Sequence, residues 1–312
     1  MIFDFTLHDQ ALVRHCAKIY EEAGIVFKNK YREPRAGYIT VIALLFFKLR
    51  GVAVLPLQQF KESDAPLQAL LYDLIPTLVA IIIDFLLFRL IYRKSVNAIG
   101  LYRKKSVFNY IAGSGVGILF ISLVFFILLA ASAVAINATY FGAIATVGFY
   151  VSLISMVFAT FGEELLFRGV MMTAFKTTRN KWIILFVPAF LFGIVHATNP
   201  GATPLAIINI FIAGLFLSYA FMKTGNLLFT SGIHFTWNFF QSIVYGSPVS
   251  GISMKGALLD ITSKDESALF NGGAFGFEAG LLCPAVFLFG GAAIYLLYRN
   301  TKSQYWDAEA AL

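Results

Sequence analysis

The sequence predicts an all-α fold, a polytopic membrane helix bundle of about eight transmembrane helices with a buried polar cavity. Three observations carry this. Apolar residues make up 59% of the 312 and charged residues 13%, against roughly 45–50% and about 25% in soluble domains. The apolar residues gather into runs close to the ~20 that cross a hydrocarbon core as a helix. The few ionisable residues inside those runs recur in spaced clusters. So much apolar surface, including 33 phenylalanines, is more than so few charges can cover in water. The composition also excludes a disordered chain and a secreted disulfide scaffold. Cys16 and Cys283 lie in the N-terminal segment and the last apolar run, with no metal or redox spacing.

Residues 1–37 are mixed polar and basic, with no compact apolar stretch that would act as a cleavable signal. Within them, Phe5, Leu12, Cys16, Ile19, Ala23 and Val26 fall near one helical face, the pattern of an interfacial amphipathic helix. The spans follow at about 38–57, 67–92, 107–135, 146–175, 182–198, 202–222, 227–245 and 279–298. The first contains Lys48 and Arg50, which must snorkel if it crosses the membrane. In the third, Gly113, Gly115 and Gly117 permit close helix approach. Residues 38–135 thus form an N-terminal set of helices, 146–245 a core that holds the chemistry, 246–278 a Gly- and Ser-rich connector, and 279–312 a last span with its tail.

The net charge of +7 does not mark a nucleic-acid partner, because the basic residues cluster between spans. Most of the 24 Lys and Arg lie in the N-terminal segment, the even-numbered loops and the tail, whereas Lys61, Lys255 and Lys264 occupy the other side. The positive-inside rule then puts both termini in the cytoplasm, as an even number of spans requires. With no organelle signal, a prokaryotic inner membrane is the expected location.

A charge at membrane depth is costly, so the ionisable residues within the spans are candidates for function. The first cluster is Glu163-Glu164-x-x-x-Arg168. Glu164 and Arg168 are four apart and share a helical face, which predicts an ion pair. Glu163 points about 100° away. A carboxylate with no partner on its own helix suits a general base. The second cluster is Phe192-x-x-x-His196 and the third His234-x-x-x-Asn238, each with its two residues on one face. Taken singly, the histidines and asparagine could be glue between helices. Depth argues for a shared purpose. Counted at 1.5 Å per residue from the basic ends, Glu163, His196 and Asn238 lie about 18–22 Å in and His234 about 12 Å, so all four converge toward one slab.

Together these motifs resemble those of the CPBP (CAAX-protease and bacteriocin-processing, or Abi) family of intramembrane proteases, which includes Rce1-like enzymes. The resemblance spans about residues 146–245, in order and in membrane setting. It implies an all-α bundle around a water-filled cavity, and an intramembrane endopeptidase acting on a membrane-embedded or lipidated peptide. It also implies that Glu163 and His196 activate a water, that His234 and Asn238 stabilise the oxyanion, and that Glu164, Arg168 and Phe192 support them. Some members place Asn or His four residues beyond the second-motif histidine; Pro200 stands there, with Asn199 one earlier. The resemblance implies no cofactor. Zinc held by Glu163, His196 and His234 is the alternative, although no H-E-x-x-H occurs. Two other functional classes fit the same polar spans: a proton-coupled carrier, and a non-catalytic immunity protein that binds an apolar peptide.

Overall fold

The computed structural model describes residues 66–92, 96–101, 105–264 and 268–300, with positions 37, 40, 44 and 57. Apart from those four positions, the expected amphipathic helix of 1–37, the first span at 38–57 and the tail beyond 300 lie outside the described residues.

Among the described residues seven helices follow in order: α1 (Pro66–Tyr92), α2 (Ser106–Ala130), α3 (Val147–Thr178), α4 (Lys181–Val195), α5 (Pro204–Thr224), α6 (Leu227–Phe239) and α7 (Leu282–Tyr298). The starts of α3 to α6 are set by local chemistry. Thr146, Asn180, Thr203 and Asn226 each turn a side-chain oxygen to a backbone N–H in the first turn, which satisfies donors that the helix itself leaves unpaired. Pro204 follows its cap directly, and Gly225 ends α5 at φ 63°, the usual placing of the two residues. α2, α3, α5 and most of α1 are long and apolar enough to cross a membrane. Large apolar side chains such as Leu90, Phe108, Phe289 and Leu297 point outward from the bundle. In water that surface would aggregate; against acyl chains it is the expected face. The chain is an integral membrane protein.

Three expectations need correction. The third span ends at Ala130, not near 135, because Ser132 turns the chain at φ 57°. Val134–Thr139 then forms β1, paired antiparallel with β2 (Leu259–Ser263). The segment 246–278 is accordingly no slack connector: it carries β2 and packs against the bundle. The spans expected at 182–198 and 227–245 are shorter as α-helices than a full crossing. α4 stops at Val195, before the turn through Asn199, Pro200 and Gly201, and α6 passes into a π-helical stretch, Phe240–Val244. Of the three glycines in α2, Gly113 and Gly117 lie against backbone of α6, while Gly115 has nothing near it and faces outward.

The apolar interior falls into two clusters. One gathers the middle of α3 with α4 and parts of α5; the other joins α2, α5, α6 and α7. Residues from both clusters line one cavity.

Candidate active site

Glu163 and Glu164 are the last α-helical residues before α3 changes its winding. From Leu165 to Met171 the helix is π, and every residue of that stretch is buried. Such segments concentrate at functional sites because they redirect side chains without ending the helix. Glu164 is fully buried. Its Oε1 accepts from Arg168 Nη1 at 2.8 Å, and Arg168 Nη2 donates to the Gly214 carbonyl of α5 at 3.2 Å. The guanidinium lies 4.6 Å from the centre of the Phe192 ring. A buried charge is tolerable only when paired and hydrogen-bonded; here Glu164 Oε1 and the two terminal nitrogens of Arg168 are held in this way. Glu163 turns away from the pair into the cavity, its side chain 17% exposed.

His196 caps the C-terminal end of α4. Its Nδ1 lies 2.6 Å from the Phe192 carbonyl oxygen. A carbonyl only accepts, so Nδ1 carries the proton, and in the neutral ring Nε2 holds a lone pair. Phe192 therefore serves three neighbours at once. Its carbonyl fixes the His196 tautomer, its ring supports Arg168, and that ring meets His234 nearly edge-on at 5.9 Å between centroids.

His234 sits on α6 between the two glutamates of α3. Nδ1 donates to Glu164 Oε1 at 2.9 Å, while Nε2 lies 3.9 Å from Glu163 Oε2, too far for a direct hydrogen bond. Asn238, one turn further along, lines the same cavity. α6 can approach this closely because Gly232 leaves no side chain between it and Tyr110 and Ser114 of α2.

The cavity has a volume of about 210 Å³ and takes side chains from α3, α4, α5, α6 and α7, room for several waters. It brings together Glu163, His196, His234, Asn238 and Phe192; Glu164 and Arg168 stand behind them. Among the described residues no three His, Cys, Asp or Glu side chains are arranged to hold a metal ion together.

Sequence reasoning missed part of the wall. Val249, Ser250, Ile252, Met254 and Glu278 of the segment after α6 face the cavity, as do Thr160 and Asn199. Glu278 is buried and accepts hydrogen bonds from Ser250 and Gln241. Two signals were available: Gln241 is a polar residue one turn beyond Asn238, and Glu278 is an acid set between Phe277 and Ala279 at the edge of the last apolar run.

A bundle of membrane helices closed around a cavity of carboxylate, imidazole and amide groups defines a polytopic membrane protein with a buried polar site. Residues 145–240 match the family model described as type II CAAX prenyl endopeptidase Rce1-like, and this stretch is similar to that family. No curated protein matches the chain, and no solved structure does.

Proposed function

We propose that the chain is an intramembrane endopeptidase that hydrolyses a peptide bond of a membrane-associated or lipidated peptide, using a water activated by Glu163. The observation that carries this reading is the meeting of Glu163, His196, His234 and Asn238 on one cavity, within the segment that matches an endopeptidase family.

Each residue then has a task its hydrogen bonds allow. Glu163 takes a proton from the water as the oxygen attacks the scissile carbonyl. His196 orients that water through the Nε2 lone pair, because its Nδ1–H is committed to Phe192. As the carbonyl electron pair moves to oxygen, Asn238 donates an amide N–H to it. His234 donates from Nε2; with Nδ1–H already given to Glu164, that donation requires the imidazolium. Glu164 thereby orients the ring and balances its charge, and Arg168 holds Glu164. Collapse of the tetrahedral intermediate breaks the C–N bond, and the proton held by Glu163 passes to the leaving amine. No step calls on a metal.

The test uses purified protein in detergent with prenylated CAAX peptides, acylated peptides and unmodified apolar peptides. Wild type is expected to cleave at least one class, and a folded Glu163→Gln variant to lose about 10²–10⁴-fold in kcat, the usual worth of general-base catalysis. Wild-type turnover by Glu163→Gln would remove Glu163 from the mechanism. Activity lost to a chelator and restored by zinc would replace the glutamate mechanism with a metal one. Proton-coupled uptake into liposomes without cleavage would turn the reading to a carrier.

A further inference from the structure

One wall of the cavity comes from outside the matched segment. The strap of residues 249–254, with Val249, Ser250, Ile252 and Met254 facing inward, leaves the end of α6 and crosses to β2. It has little regular structure of its own: a single bridge joins Val249 and Ile252. Ser250 sits at φ 47°, a region that non-glycine residues occupy only when their surroundings hold them there.

The hold is concentrated on one side chain. Glu278 Oε1 accepts from both the backbone N–H and the hydroxyl of Ser250, the latter at 2.6 Å, and Oε2 accepts from Gln241 Nε2 at 3.1 Å. Gln241 also donates to the Pro248 carbonyl at 2.6 Å, and Asn199, next to the His196 turn, donates to the Ser250 carbonyl at 3.1 Å. Behind Glu278, Asn209 of α5 donates to its backbone carbonyl, which anchors the post itself. A buried carboxylate held by neutral donors is an expensive way to fix a loop; its place on the cavity wall gives the expense a purpose.

We propose that Glu278 is a positioning residue of the proteolytic site, which sets the strap through Ser250 and so shapes the part of the cavity that receives substrate beside the scissile bond. This rests on the endopeptidase reading above. The titratable groups that bear on Glu278 are His234 on α6 and Cys283 on α7, with Glu163 and His196 on the same cavity.

Proton linkage supplies a signature that scaffolding alone does not. Burial pushes the Glu278 carboxyl up to about 7, against the pull of Ser250, Gln241 and His234. A strap swung away exposes the group to water and draws it back toward its ordinary, lower range. The closed strap therefore binds the proton more tightly. It is favoured at low pH and loosens as pH rises through about 7.

Two readouts are compared from pH 6 to 8.5 in wild type, Glu278→Gln and Glu278→Ala. The first is kcat and KM. The second, independent of proteolysis, is maleimide labelling of a cysteine placed at Met254 in a chain carrying Cys16→Ser. Glu278→Ala is expected to raise KM about ten-fold with kcat within about two-fold, the mark of lost uniform binding, and to speed labelling about ten-fold. Glu278→Gln, neutral at every pH, is expected to flatten the rise in KM seen in wild type and to remove the part of the labelling increase that exceeds ordinary thiol ionisation. Wild-type KM and labelling in Glu278→Ala overturn the proposal. So does a fall in kcat at constant KM, or parallel pH profiles in wild type and Glu278→Gln. No cleavage by wild type, with the labelling response intact, overturns the endopeptidase reading and leaves the strap assignment standing.

Discussion

The two carboxylates of the Glu163-Glu164 step do different physical work, and variants separate them. Glu164 is shut away from solvent and shared between Arg168 and His234, so Glu164→Ala leaves a guanidinium buried without its counter-charge. Loss of one partner of a buried pair costs about 3–5 kcal/mol. Thermal unfolding in detergent should show a marked drop, and activity should fall both with the fold and because His234 loses the acceptor of its Nδ1–H. Asn238 lies half-buried on the cavity and carries no such structural duty. Asn238→Ala should unfold like wild type and lose about 10²–10³-fold in kcat, the value of one oxyanion donor. Equal kcat in the two proteins would take Asn238 out of the oxyanion assignment. The Glu164–Arg168 pair was legible in the sequence because four-residue spacing fixes a shared face. The Glu164–His234 contact was not, because it joins residues 70 apart and depends on how two helices pack. Glu278 was passed over for a related reason: an acid in a Gly-rich loop has the sequence profile of a surface residue.

At the scale of elements, α6 carries His234 and Asn238 to the cavity and depends on α2 for its position. A Cβ at Gly117 would collide with the Ile233 carbonyl and the Thr236 hydroxyl, on either side of His234 in sequence. Gly117→Leu should push α6 away, cost about 1–3 kcal/mol through overpacking and depress activity. Gly115→Leu, with open space around it, should do neither. Thermal unfolding and turnover of the pair provide the check, and equal behaviour would mean that α2 does not set α6. The sequence revealed the apolar runs well, since a helix in lipid must be apolar throughout its outer face. It did not separate Gly115 from its neighbours, because only a partner distinguishes a packed glycine from a lipid-facing one. Nor did it reveal the two π-helical stretches, Leu165–Met171 and Phe240–Val244. The first begins directly after Glu164 and holds Arg168, the second follows Asn238, and nothing in composition marks a wider winding. The strand pair was hidden for a simpler reason: β1 begins with Val134 and Ala135, apolar residues that continue the run of the preceding span.

For the whole molecule, the arrangement is a polar chamber held between two apolar clusters, with lipid as the outer solvent. Motif spacing and depth pointed to convergence of the four polar residues, and the cavity receives all four. Its remaining wall belongs to a segment that the apolar pattern passed over. Orientation in the membrane still rests on loop charge, and we propose on that basis that both termini face the cytoplasm.

The closeness of Glu164 and Arg168 along one helix also bears on how the protein is made. A lone carboxylate or guanidinium resists entry into a bilayer, whereas two opposite charges one turn apart cancel within the same segment. α3 therefore brings its own counter-ion during insertion, before any neighbouring helix has arrived to shield it. When α6 emerges later from the ribosome, its histidine meets an acceptor that is already oriented, so assembly of the polar cluster starts from a half-built template.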